Sequence, residues 1–416
     1  MSILRRLSGV SQIKERHGVK MARMKVLYLA PRYHTNQAAI MKGWIENGHE
    51  VRFISQYAGK VEDYACIKPD VIGYSGFFML FYHFYVHVIK RHDSTAMDIR
   101  LKYGIPPMIK LAGYLKRFRP DVAILRERSL YTICMNVLCR HYRIPTILYN
   151  QTPVWEKART MDQTHKLVWK MTPKYRITPV DAVGIDYTGL TRDKDAYFTP
   201  FLMEPQCSPG EKRYFAGGRF NIFCIGKYQK RKNLQMMIEA VEELLPDYPL
   251  HLVIAGEMSN RFHEEYYAQV SAYVKKHRLE SAVTLLTNQD REAVAEQYKK
   301  ADVFVLPSTD EPAAVSHLEA MAFSVPAISG SDNGTAGYIE DGVTGYVFAD
   351  NDKEDLKEKI EKIICDKENL IRMGAAAYRH VKDDFQFGAY YGQIEKILTR
   401  LTAEKTVGGK TGSEND

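Results

Sequence analysis

Cysteine is sparse and unpaired in this 416-residue chain: Cys66, Cys134, Cys139, Cys207, Cys224 and Cys365 form no C-x-x-C pair and no dense framework. That spacing excludes a zinc finger and a disulfide-stapled secreted scaffold, and reads as reduced, buried thiols of a cytosolic protein. Long apolar runs are missing too. The dense aromatic stretch at residues 77–89, FFMLFYHFYVHVI, has thirteen residues, too few to span a bilayer. The first residues hold no continuous apolar segment followed by a cleavage site, so no secretory signal is expected. Charge of one sign is not in large excess: 58 Lys and Arg against 50 Asp and Glu leave +8. With no RNA-binding signature either, nucleic acid is not an expected partner. What the chain has is apolar bulk, since 45% apolar residues over this length can build two cores.

The most informative stretch is ADVFVLPS followed by EPAAVSHLEAMA. The first part is a short apolar run ending in Pro307 and Ser308, which predicts a buried strand, and residues 316–323 predict a helix. Parallel sheets bind ligands at the carboxyl ends of their strands. Glu311 therefore falls in the loop at a strand end, where a carboxylate accepts hydrogen bonds from sugar hydroxyls. Glu319, eight residues on, returns to the same side of the helix and suits a ribose diol. Two solvated helix-start acids would look the same on spacing alone.

Upstream, the strand NIFCIGK runs into KYQKRKNLQMMIEAVEELL, whose Leu234, Met237, Ile238 and Val241 have helical spacing. Lys227 and Lys232 flank the turn between sheet end and helix start, so their ammonium groups can converge on one diphosphate. In isolation they would pass for a solvated charge run.

These motifs resemble the retaining GT-B glycosyltransferases of family four, the group containing mannosyl-, glucosyl- and N-acetylglucosaminyltransferases. The resemblance covers residues 220–350, with the basic pair on Lys227 and Lys232, IAGE at 254–257, ADVFVLPS at 301–308, the spaced glutamates Glu311 and Glu319, and EDGVTGYVF at 340–348. It implies that Lys227 and Lys232 neutralise the diphosphate leaving group, that Glu311 touches sugar hydroxyls, and that Glu319 holds the ribose. It also places Gly256, Ala314 and Val315 against the donor. Glycosyl transfer passes through an oxocarbenium-like state while charge builds on the leaving group, so fixed cations serve and no metal is expected. Asp193-Lys194-Asp195 is accordingly read as a surface-loop acid pair. The chain departs from the family at Ala313 and Ala314, where an aromatic and a glycine are usual, at Ser324 in place of a glycine, and at Gly337 in place of a glutamate.

The N-terminal half opens with a strand in MKVLYLAPRY, a helix in IMKGWIENG and a strand in HEVRFISQ, a β-α-β start. KPDVIGYSG, RPDVAILRE and IPTILYNQTP continue the repetition. The first loop carries Pro31, Arg32, Tyr33, His34, Thr35 and Asn36 where the family has paired glycines. His34 and Asn36 are thereby candidates for acceptor or sugar positioning, although a lone loop histidine is ordinarily just surface. Where the family often has a histidine, this chain has Asn150, Gln151 and Thr152. Gln151 can position a sugar or acceptor but cannot act as a base, and an ordinary loop amide is the alternative.

The expected fold is α/β of GT-B architecture, two Rossmann-like doubly wound domains facing a cleft. Residues 1–23 form a basic extension, with six Lys or Arg against one Glu, that either binds an anionic membrane surface or is disordered. The acceptor domain is expected over 24–199, a linker suited to a hinge over 200–212, the nucleotide-sugar domain over 213–374, helices crossing back to the first domain over 375–402, and a disordered tail over 403–416. Residues 77–89 are read as a buried helix, with a helix dipping into the membrane interface as the functional alternative; His83 and His87 share one face but lack a third ligand. The expected activity is transfer of a hexose or N-acetylhexosamine from a nucleoside diphosphate sugar, a co-substrate rather than a cofactor, to a glycan or lipid-linked acceptor. The expected location is cytoplasmic, peripheral on the inner face of a membrane. A sugar phosphorylase, a nucleotide-sugar epimerase and a non-catalytic partner of another glycosyltransferase remain the alternatives.

Overall fold

In the computed structural model, residues 23–34, 37–59, 64–89, 96–158 and 162–410 are described. They form two compact units. The first is built on strands β1 Lys25–Ala30, β2 Glu50–Ser55, β3 Asp70–Val71, β4 Val122–Arg126 and β5 Thr146–Tyr149. A small antiparallel pair, β6 Trp155–Glu156 with β8 Thr191–Arg192, accompanies β7 Arg176–Thr178 and β9 Ala196–Phe198. The main sheet runs β3-β2-β1-β4-β5-β7-β9 and is parallel at every pairing. Its helices are α1 Ala38–Glu46, α2 Gly76–Phe84, α3 Ala96–Tyr103, α4 Met108–Phe118, α5 Leu130–His141 and α6 Gln163–Met171.

Successive strand side chains point to opposite faces, and along β1 they feed two separate cores. Val26, Tyr28 and Ala30 join one cluster, and Leu27 and Leu29 join another. A sheet covered on both faces requires such an uninterrupted apolar run.

The second unit comprises Val180–Leu190 and Met203–Gln386. Its strands β10 Phe220–Lys227, β11 Leu250–Glu257, β12 Val283–Thr287, β13 Val303–Leu306, β14 Ala327–Gly330 and β15 Gly345–Phe348 form a parallel sheet in the order β12-β11-β10-β13-β14-β15. That is the Rossmann order, with its topological switch point between β10 and β13; in the first sheet the same reversal falls between β1 and β4. The helices are α7 Leu234–Leu244, α8 Arg261–Lys276, α9 Arg291–Lys300, α10 Ser316–Ala322, α11 Lys353–Cys365 and α12 Lys367–Asp384. Both sheets are of the expected doubly wound α/β class.

The chain then returns to the first unit with α13 Phe387–Lys410. Trp44 packs edge-on to Phe387 at 5.2 Å, and the Tyr28 and Tyr390 hydroxyls lie 2.7 Å apart. A side chain at Gly43 would put its Cβ 2.2 Å from the Phe387 ring, so glycine is required there for the helix to dock. Glu404 is helical and pairs with Lys174 at 2.5 Å; residues 411–416, like 1–22, lie outside those described.

The stretch 203–212 is tied into the second unit. The Gln206 and Cys207 amides donate to the Ala322 carbonyl at 2.8 and 3.1 Å. Lys212 is buried and donates to the carbonyls of Tyr298 and Lys299 at 3.2 and 2.7 Å at the end of α9; burial pushes its ammonium down to about 8. Ser324 stands in the left-handed region at φ +59°, where the family's glycine would be at ease, and its hydroxyl donates to the Cys207 carbonyl at 2.7 Å.

Two expectations need correcting. Helix α2 is not buried: Phe77 and Leu80 are 80% and 74% exposed, and Phe81, Phe84 and Val88 are exposed beside them. A helix apolar nearly all round gives no periodic signal for which face turns inward. Of the cysteines, only Cys139, Cys207 and Cys224 are buried; Cys365 is exposed, and all six are free.

Candidate functional site

The loops after β10 and β13 flank the switch point of the second sheet, and they hold each other. Lys230–Lys232 forms a single 3-10 turn, and Asn233, at φ +51°, redirects the chain into α7. The Thr309 amide donates to the Arg231 carbonyl at 2.9 Å, joining the two loops. Glu311 is fixed from its other side. Its carbonyl accepts from the Gly334 amide at 2.9 Å, and the Thr335 hydroxyl donates to the Ala314 carbonyl at 2.9 Å. A Cβ at Gly334 would lie 2.1 Å from the Pro312 carbonyl oxygen, so the close approach of these segments depends on glycine.

Onto this scaffold the side chains converge. Arg231 donates through Nη1 to Glu311 Oε2 at 2.8 Å, and the Lys232 ammonium donates to the same oxygen. Lys232 and Glu311 are largely buried, with side chains 11% and 9% exposed, whereas Arg231 is 40% exposed. Two cations on one carboxylate oxygen leave net positive charge at the sheet's carboxyl edge. The stem of Lys232 passes over Gly226, where an added Cβ would be 3.2 Å away.

Lys227 is less constrained: its ammonium is 3.7 Å from Glu257, both groups being well exposed, and such a pair contributes little to stability. Between them Tyr228 turns inward, its hydroxyl donating to the Leu286 carbonyl at 2.9 Å. Its ring fills the space over Gly256, where a Cβ would stand 2.1 Å away. Gly256 thus has a packing reason of its own.

Ala314 is buried, and Val315 precedes α10, its carbonyl accepting from the Glu319 amide at 2.9 Å. Glu319 itself is held by the buried Tyr298, whose hydroxyl donates to its carboxylate at 2.9 Å. Burial raises the Glu319 carboxyl above its ordinary value, with Tyr298 opposing. On the same helix His317 is fully buried, and burial lowers its imidazole to about 4, with Thr335 and Glu311 opposing. The ring is therefore neutral at physiological pH.

In the first unit, Gln151 lines a cavity of about 460 Å³ with Glu127, Arg128, Asn150, Thr152 and Pro153. His34 lies elsewhere, its Nε2 accepting from Arg32 Nε at 3.4 Å and its amide donating to Gln37 at 3.0 Å; Asn36 lies outside the described residues. Asp193 is not a surface acid: it accepts from the fully buried Arg176 at 2.9 Å. Among the described residues no group of three or more His, Cys, Asp or Glu is placed to hold a metal.

Sequence reasoning missed Arg231, Tyr298, Tyr228 and the Arg176–Asp193 pair. Arg231 was legible in principle, as the neighbour of Lys232 in one basic run. The partner of Asp193 lies seventeen residues away, at the start of β7, which no local pattern announces.

Residues 211–380 match the family described as glycosyl transferases group 1. The human alpha-1,3/1,6-mannosyltransferase ALG2 is 29% identical over 44% of this chain and 46% of its own length. The D-inositol 3-phosphate glycosyltransferase of Corynebacterium aurimucosum is 28% identical over 42% of this chain and 41% of its own. The chain spans about half the length of the curated relatives it matches. Among solved structures, Anabaena Alr3699/HepE, crystallised with UDP and glucose, superposes with a TM-score of 0.66 at 14% identity, over 91% of this chain and 100% of that one. A glycosyltransferase from Rickettsia africae gives 0.64 at 12% identity, over 91% and 99%. Residues 211–380 thus match the glycosyl transferases group 1 family, and both parallel sheets share the GT-B fold of these structures.

Proposed function

We propose that the chain is a retaining glycosyltransferase moving a hexose or N-acetylhexosamine from a nucleoside diphosphate sugar to a glycan or lipid-linked acceptor. The observation that carries this reading is the convergence of Arg231 and Lys232 on Glu311. Without ligand, the carboxylate holds both cations in place. A diphosphate arriving beside them takes over their charge, and Glu311 becomes free to accept from sugar hydroxyls. As the bond from the anomeric carbon to the phosphate oxygen breaks, Lys227, Arg231 and Lys232 stabilise the departing diphosphate. The acceptor hydroxyl bonds to the anomeric carbon on the same face and passes its proton to the leaving phosphate. Glu319 holds the ribose, with Tyr298 orienting it, and Gly256, Ala314 and Val315 complete the donor side. Gln151 positions the sugar or acceptor.

UDP and UDP-glucose, found with the Anabaena protein, are the first donors to test, followed by mannosyl donors in view of the mannosyltransferase relatives. Melting of the purified protein is expected to rise with one nucleotide family. The reading is rejected if no nucleotide or nucleotide sugar shifts the melting temperature of the wild type. Binding without turnover would instead favour a non-catalytic partner of another glycosyltransferase.

A lipid-linked acceptor fits the exposed stripe of α2. Among the described residues no helix is long and apolar enough to cross a membrane. Phe77, Leu80, Phe81 and Phe84 are exposed and have the spacing of one helical face, and Lys90 and Arg91 follow in the sequence. Aromatic side chains flanked by basic ones suit an anionic membrane surface. Co-sedimentation with phosphatidylglycerol vesicles should exceed that with phosphatidylcholine vesicles; equal, negligible binding to both would remove this placement.

A further inference from the structure

The cavity at the carboxyl ends of β4 and β5 contains a cation that the proposed chemistry leaves unused. The link from β4 to α5 is short: Arg126 ends the strand, and Ser129 caps the helix by accepting from the Thr132 amide at 3.2 Å. Only Glu127 and Arg128 lie between. Glu127 adopts the left-handed region at φ +63°, and its amide donates to the Tyr149 carbonyl at 2.9 Å. A non-glycine residue held there is a strained position, of the kind that clusters at binding sites.

The facing wall is rigid. Arg176 donates to the carbonyls of Thr152 and Pro153 at 2.6 and 2.7 Å and meets Asp193 at 2.9 Å, so its charge and geometry are spent on the 150–153 loop. Arg126 has Glu127 at 3.5 Å. Arg128 has no carboxylate at ion-pair distance among the described residues. Its guanidinium carbon lies over the Trp169 ring, 4.0 Å from the centroid, and its Nε is buried without a hydrogen-bond partner. Burial and the nearby Arg176 disfavour its charge, while Asp193, Glu156 and Glu127 act the other way. A guanidinium is effectively always charged, and an orphaned buried donor is costly.

We propose that this cavity binds an anionic oxygen group carried by the acceptor, a phosphate ester or a carboxylate, with Arg128 as its anchor and the Gln151 amide as a second donor. The planar guanidinium, pinned on Trp169, offers a fork of N–H groups that matches either group. A volume of about 460 Å³ admits the anion together with the sugar or polyol that bears it. That the anion belongs to an acceptor rests on the glycosyltransferase reading; binding of the anion does not.

The test uses the full chain carrying Lys227→Ala and Lys232→Ala, so that the donor lysines do not contribute. Methyl phosphate and acetate are titrated while tryptophan fluorescence is followed, Trp169 being the reporter. A saturable change is expected, absent in Trp169→Phe and weakened at least tenfold by Arg128→Gln, with partial recovery in Arg128→Lys. Gln151→Glu, which leaves the packing of Arg128 on Trp169 in place, should weaken it as much through repulsion. A response to methyl phosphate alone assigns a phosphate ester, and one to acetate alone a carboxylate. No saturable change with either, or one untouched by both Arg128→Gln and Gln151→Glu, overturns the proposal. The melting shift with UDP, read on the wild type and on Arg128→Gln, reports the donor site separately: its absence in the wild type counts against the donor reading while the anion titration stands.

Discussion

The loops at the two switch points share one topology and differ in how their cations are neutralised. In the second unit Arg231 and Lys232 share a buried carboxylate on the next loop. In the first, Arg176 is fully engaged, while Arg128 beside it rests on an aromatic ring with no carboxylate at ion-pair distance among the described residues. A carboxylate that already holds its cations can exchange them for a ligand's charge with little rearrangement. A guanidinium set over a ring, with no carboxylate at ion-pair distance among the described residues, has a ligand's charge to gain. One Rossmann frame thus carries cations gathered on a shared carboxylate, and the other a guanidinium whose neighbouring carboxylate, Glu127, is paired with Arg126 instead. Substitutions that remove the shared carboxylate, or the pairing that holds the loop facing Arg128, test that contrast.

The largest effect is expected from Glu311→Ala. It removes the proposed sugar contact and releases both cations, so turnover should fall by about two orders of magnitude or more, in line with losing a preorganised charged group. Circular dichroism should be unchanged, since the Glu311 backbone contacts to Gly334 and Asn333 survive. Unchanged turnover would refute the role of Glu311 and leave the two cations as a merely structural cluster.

Next comes the first unit's frame. Asp193→Ala leaves the Arg176 guanidinium buried without its counter-charge, which should cost about 3–5 kcal/mol of stability. Urea unfolding would measure this. A loss under 1 kcal/mol would mean that the carbonyls of Thr152 and Pro153 suffice for Arg176, and that the wall facing Arg128 is less dependent on charge pairing than its geometry indicates.

How much of this was readable beforehand depended on how local each signal is. Strands such as VFVL in β13 are buried on both faces and so appear as unbroken apolar runs. Glu311 and Glu319 sit at fixed offsets from that strand, and Lys227 and Lys232 at fixed offsets from β10, so topology alone carried them to the carboxyl edge. Arg231, adjacent to Lys232, needed side-chain direction rather than spacing. Asp193 needed a partner on β7, far from it in sequence, and α2, apolar nearly all round, needed its neighbours to show which face is bare.

Glu319 offers an effect with opposite signs in two assays. Its raised carboxyl means that the native state takes up a proton before the unfolded chain does. The cost of its ionisation is therefore present at neutral pH and is lost as pH falls through the raised value. Glu319→Gln should melt at or above the wild-type temperature at pH 7, and that advantage should shrink toward pH 4.5. Nucleotide affinity should meanwhile drop roughly tenfold if a charged hydrogen bond to ribose is lost. A variant that melts lower at pH 7 and binds nucleotide normally would reduce Glu319 to a structural partner of Tyr298.

The smallest effect is expected at Ser324, where the chain departs from its family without disturbing the frame. A non-glycine residue in the left-handed region costs roughly 1–2 kcal/mol, and the hydrogen bond from its hydroxyl to the Cys207 carbonyl returns about 1 kcal/mol. Ser324→Gly removes both together and adds the entropy of a freer unfolded chain, about 0.4–1 kcal/mol against folding. The three contributions nearly cancel, so the melting temperature should move by no more than a few degrees. Ser324→Ala keeps the backbone cost and loses only the hydrogen bond, and should melt lower than either. If alanine is as stable as serine, the bond to Cys207 contributes nothing, and the segment from Met203 to Lys212 must be held by its other contacts, to Ala322, Phe385 and Gln386 and through Lys212.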